Sequence, residues 1–89
     1  MKEIKLSGRE MSVLRYIDFA TGTVGSELVE ATRIDVDELS GIVNGLCDVG
    51  YLETDPPMNE ITPDVFPTLL VDVNPSYALS LREAMSKRL

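Results

Sequence analysis

Between Asp35 and Asn74 the chain places nine carboxylates, one thiol and no cation. Carboxylates can serve as general acids or bases or hold a metal, and a thiol can act as a nucleophile. The spacing supports none of these. The segment DVDELSG, residues 35–41, begins like a calcium loop, but its glycine comes one place late and its twelfth position is Leu46 where the loop needs Glu. The chain contains no His, which removes the commonest general base and metal ligand. A single Cys rules out the cysteine-rich zinc sites. GTVGSEL, residues 22–28, lacks the Lys and the spacing of a phosphate loop. The expectation is a protein that is not an enzyme and takes no metal, cofactor or small-molecule ligand. Cys47, at the edge of an apolar stripe with no neighbouring cation, reads as a small core residue rather than a redox sensor.

Helical and strand periodicity then positions these groups. Ser7 and Glu10 have capping-box spacing and start a first helix over residues 7–20, with Val13, Leu14, Ile17 and Ala20 on one face. TGTV, residues 21–24, is a short extended link. A second helix covers residues 25–32 with Leu28 and Ala31 inward. Asp35 and Glu38 repeat the capping-box spacing and start a third helix at Val36, with Leu39, Ile42, Val43 and Leu46 facing the core and Gly50 ending it. YLET and TLLVDV pair as a hairpin around a loop holding Pro56, Pro57, Pro63 and Pro67. Asn74 caps a last helix with Pro75 in its first position; its stripe is Tyr77, Ala78, Leu81, Ala84, Met85 and Leu89, and Lys87 and Arg88 suit its C-terminal dipole.

That order of elements is the winged-helix pattern. From Leu28 to Leu52 the chain resembles prokaryotic winged-helix regulators of the multiple-antibiotic-resistance type, through Leu28, Glu30, Ala31, Ile34, Leu39, Ser40, Ile42, Val43, Leu46, Gly50, Tyr51 and Leu52. The resemblance implies one α+β, mostly helical domain over residues 1–89: a three-helix core, a β-hairpin wing and a C-terminal helix. It also implies a role in transcription regulation. Two positions depart from the pattern. The turn before the third helix carries Arg33 where Gly is usual, and that helix shows Gly41, Asn44, Gly45 and Asp48 outward where Arg or Lys is usual.

Charge sharpens the second departure. The net charge of −7 divides into zero over residues 1–34, −9 over residues 35–74 and +2 over residues 75–89. The acidity therefore sits on the two elements that would face DNA. Lys and Arg contacts to phosphate supply most non-specific affinity, so these elements would repel a duplex. A protein partner is the expected target, met by Ser40, Gly41, Asn44, Gly45, Met58 and Phe66. Gly41 and Gly45 lie four apart on a helix where each costs about 1 kcal/mol relative to Ala; they make either a flat docking face or a tolerated surface. Met58, Ile61, Val65 and Phe66 make either an exposed docking motif or a cover for a thin core. The alternative is a DNA-binding regulator using Lys2, Lys5, Arg9, Arg15 and Arg33 for phosphates and Ser40 and Asn44 for bases.

A chain of 89 residues buries little core, so a partner copy would help. A homodimer through residues 76–89 is expected, because Leu79 lies off the apolar stripe of the last helix. One Cys fits a reducing compartment, MKEIKLSG lacks the apolar run of a signal peptide, and no segment nears the roughly 20 apolar residues that span a bilayer. A cytoplasmic protein is expected.

Overall fold

Ser7 and Glu10 close a reciprocal capping box in the computed structural model, which describes residues 4–86. The Ser7 hydroxyl accepts from the Glu10 amide at 3.1 Å, and the Glu10 carboxylate accepts from the Ser7 amide at 2.8 Å. Helix α1, Gly8–Arg15, follows and buries Met11, Val13 and Leu14. It stops short of the expected Ala20. Asp18 is the cause: its carboxylate accepts from the amides of Ala20 and Thr21, while its own amide donates to the Thr23 hydroxyl. Such local side-chain bonds offer the backbone an alternative to the helix. The same amides hold the Asp18 carboxyl below its ordinary range. Ile17 remains buried, but Ala20, expected on the apolar face, is exposed.

Strand β1, Thr23–Val24, leads into α2, Gly25–Thr32. Leu28 is fully buried and Ala31, expected inward, is exposed. Arg33 ends α2 with φ at 59°, in the left-handed region. Gly adopts that conformation most readily, and a side chain there costs about 1 kcal/mol. Helix α3, Val36–Asp48, is capped by Asp35, whose carboxylate accepts from the Asp37 amide at 3.1 Å. The expected reciprocal half is missing, because Glu38 turns instead to Arg9 on α1 at 3.1 Å. At the other end Gly50 has φ at 92°, its amide donates to Cys47, and the Tyr51 amide donates to Leu46. This double return satisfies the last carbonyls of α3 and turns the chain into the sheet.

Strands β2, Leu52–Asp55, and β3, Leu70–Val73, pair antiparallel as expected. The sequence expectation of a two-stranded hairpin is incomplete, since β1 pairs with the other side of β3 to give the order β1-β3-β2. Leu52, Val71 and Val73 point from the sheet into a core shared with Leu14, Leu28, Leu39 and Leu46. The β2–β3 connection folds back over that core. It buries Ile61, Leu69 and Phe66, the last within a short 3-10 turn, Phe66–Thr68. Covering a side chain of this size contributes roughly 1.5–3 kcal/mol, a large share for a thin core.

Helix α4, Ala78–Ser86, begins later than the expected Pro75. Asn74 forms a turn instead, accepting from the Ser76 amide and donating to the Gly50 carbonyl. Leu81 is buried, Ala78, Ala84 and Met85 are half-buried, and Tyr77 meets Tyr51 edge-on at 5.2 Å. Lys2, Lys87, Arg88 and Leu89 lie outside the described residues. Within those residues the fold is an α+β domain of four helices and a three-stranded antiparallel sheet. None of these helices is long and apolar enough to cross a membrane.

Candidate functional site

Helical spacing brings Asp37, Gly41, Gly45 and Val49 into one outward row along α3. All four are exposed, and a Cβ built on either glycine meets nothing within 4 Å. The row is therefore a shallow strip of bare backbone with a carboxylate at one end and an apolar residue, Val49, at the other. Val49 is 57% exposed and lies outside the docking residues expected from the sequence. Its signal was present as one more step of four beyond Gly45.

Two residues expected beside this strip lie elsewhere. Ser40 is buried and its hydroxyl donates to the Asp37 carbonyl. Asn44 is half-buried and both ends of its side-chain amide are engaged. Its nitrogen donates to the Ile61 carbonyl and its oxygen accepts from the Ile61 amide, each at 2.8 Å. Asn44 is thus the anchor of the β2–β3 connection and has no free edge for reading an adenine. Phe66, named as a docking residue, is fully buried, as the core-covering alternative for its segment requires. Gly25 has no expected role, yet α2 and the 3-10 turn touch there so closely that a Cβ would overlap the Phe66 carbonyl oxygen. Only the contact made by the folded chain marks it, so no local signal in the sequence could have.

Met58 is half-buried and lines a depression of ≈ 420 Å³ with Cys47, Leu52, Glu53, Thr54 and Pro57. Burial, followed by the nearby charges of Asp48 and Glu53, pushes the Cys47 thiol up to about 11. At neutral pH it is a protonated, weakly reactive group, in keeping with a packing role. Among the described residues no three His, Cys, Asp or Glu side chains converge as metal ligands do.

The nine carboxylates of residues 35–74 are exposed except for Asp72, which is half-buried. Glu53 stands directly across from Asp72 in the β2–β3 register, so two like charges share the outer face of the sheet. The cations lie on other elements. Arg9 is engaged with Glu38, Arg15 and Arg33 are exposed at the ends of α1 and α2, and Arg82 sits 4.7 Å over the Phe19 ring. Comparison with protein-family models, curated proteins and solved structures finds no match.

Proposed function

We propose that this chain is a non-enzymatic winged-helix module that regulates by contacting another protein, with the outward strip of α3 as its docking surface. The winged-helix reading is supported by the order α1-β1-α2-α3-β2-β3-α4 and by the sheet order β1-β3-β2. The observation that carries the protein-binding reading is the character of α3. The helix that would enter a major groove exposes Asp37, Glu38 and Asp48 and no cation. A duplex brings a phosphate charge about every 1.7 Å, and each would be repelled here. A partner backbone, by contrast, could lie against Gly41 and Gly45. Direct DNA reading is further weakened by Ser40, which is buried, Asn44, which is spent on Ile61, and Arg9, which faces Glu38. Regulation in the cytoplasm is part of the same proposal.

Self-association belongs beside it. Leu79 on α4 is 72% exposed while Leu81 is fully buried, so α4 is apolar on two sides. A helix of that kind usually packs on both. A homodimer through residues 76–89 would cover Leu79, and sedimentation of the wild type against Leu79→Glu reads this directly. The docking proposal itself is tested by recovering bound proteins with the wild type and with a Gly41→Gln, Gly45→Gln double variant. The wild type should retain a specific protein that the double variant loses. Equal recovery by both would remove the strip from consideration.

A further inference from the structure

Among the described residues, the hydrogen-bond alternation of the sheet leaves the outer edge of β2 unpaired. The Asn74 amide donates to the Tyr51 carbonyl, so Tyr51 and Asn74 are a hydrogen-bonded pair at the end of the β2–β3 ladder. Bonded and non-bonded pairs alternate along an antiparallel ladder. Glu53 with Asp72 and Asp55 with Leu70 are then bonded pairs, and the backbone groups of Leu52 and Thr54 point away from β3. The other side of the sheet agrees. The Gly25 amide donates to the Leu69 carbonyl, so β3 turns Leu69 and Val71 to β1 and its alternate residues to β2. Among the described residues no loop or helix group bonds the outward amides and carbonyls of Leu52 and Thr54. Natural proteins keep such edges from pairing at random with short strands, charge and Pro; β2 has four residues, Glu53 and Asp55, and Pro56 and Pro57 at its end, so the edge admits only a segment of matching charge.

Three features say what would cover it. The depression lined by Cys47, Leu52, Glu53, Thr54, Pro57 and Met58 opens beside this edge, and apart from Glu53 and Thr54 its lining is apolar. An added strand would turn alternate side chains into it, and the lining favours apolar ones. On the opposite face an added strand lies next to Glu53 and Asp55, with Asp72 beyond, where a cation would relieve two like charges standing across from each other. A second copy fits poorly. A two-fold pairing of β2 with itself that matched Leu52 to Thr54 would set Glu53 against Glu53 of the other copy.

We infer that the open edge of β2 accepts, by strand addition, an extended segment of a partner protein in which basic side chains alternate with apolar ones. Main-chain bonds to Leu52 and Thr54 give affinity, and the acidic outer face and the depression select the sequence. This rests on the protein-binding reading but uses a surface separate from Gly41 and Gly45.

The test titrates the isotope-labelled full chain with an end-blocked Lys-Val-Lys-Val-Lys-Val-Lys peptide and with its Glu-Val counterpart, following the backbone amides. The Lys-Val peptide should shift the Leu52 and Thr54 amides and slow their exchange, with an affinity that falls as salt rises. Thr54→Pro removes an outward donor without touching the β2–β3 ladder. It should weaken binding about tenfold, the value of one main-chain bond, while Thr54→Val binds as the wild type does. If the proline variant does not fold, the surface variant Glu53→Lys, Asp55→Lys serves instead, and it should exchange preference for the Glu-Val peptide. No response at Leu52 and Thr54, or equal responses to both peptides, overturns the inference. So does concentration-dependent protection of these amides without peptide, which would seat a second copy on the edge. A peptide response that survives Gly41→Gln, Gly45→Gln supports the edge independently of the α3 strip. Absence of that response alongside loss of a cellular partner in the glycine variant leaves the α3 proposal standing and removes only this one.

Discussion

Asn44 holds the backbone of Ile61 by both its amide and its carbonyl, each across a side-chain bond of 2.8 Å. This pair fastens the β2–β3 connection to α3 and thereby seats Ile61 and, further on, Phe66 over the core. Asn44→Ala should lower stability by roughly 1–3 kcal/mol, the cost of leaving part-buried backbone groups unpaired. Denaturant unfolding measures this. The Ile61 amide should also lose its hydrogen-exchange protection ahead of the ladder amides of Glu53 and Asp55.

The glycines should separate into two classes. Gly41→Ala and Gly45→Ala, in open space on an exposed helix face, should each raise stability by up to about 1 kcal/mol. Gly25→Ala should do the opposite, since its Cβ would meet the Phe66 carbonyl and force α2 away from the 3-10 turn. A loss of a few kcal/mol or failure to fold is expected there, of the order seen when a packed core is overfilled. Thermal unfolding of the three variants checks both signs.

Much of this architecture is legible from residue spacing because its signals are local. The box at Ser7 and Glu10 and the Asp35 cap that starts α3 depend on side chains within a turn of the backbone groups they satisfy, and the stop at Gly50 depends on backbone bonds to Cys47 and Leu46. The errors have a common origin in side chains that were free to choose a different partner. Asp18 ends α1 early by bonding to the turn after it. Glu38 leaves its cap for Arg9, and Asn74 spends itself on Gly50 and Ser76. The candidate site suffered most. Helical spacing gives the outward positions of α3 but carries no sign that the β2–β3 connection returns to cover Asn44 or that Phe66 enters the core.

Cys47 should be slow to alkylate. With its thiol raised to about 11 from an ordinary 9.0, the reactive thiolate is scarce at neutral pH. The alkylation rate of the folded chain should climb through a midpoint near that raised value, whereas the denatured chain should titrate near the ordinary one. The linked stability has a definite sign. Because the folded value is raised, the contribution is complete below pH 9.0 and is lost as pH climbs through about 11. A rate profile for the folded chain with its midpoint at the ordinary thiol value would show that the side chain is open to water.

Random duplex DNA should show no measurable binding near physiological salt. Ordinary non-specific binders reach dissociation constants of about 10⁻⁴ to 10⁻⁶ M under those conditions, with a steep dependence on salt. Micromolar affinity with such a slope would make direct DNA reading the better account of this chain and would move attention to Arg15 and Arg33.

In the proposed function the outward strip of α3 meets protein. That contact is tested most directly by placing a photo-crosslinking amino acid at Val49, which ends the row of Asp37, Gly41 and Gly45 without adding bulk to the glycines. Irradiation in the source cell should yield a discrete protein adduct whose cross-linked peptide belongs to one partner. That adduct should vanish when Gly41→Gln and Gly45→Gln are introduced into the same chain. An adduct to nucleic acid, or a protein adduct indifferent to the two glycine substitutions, would contradict the account.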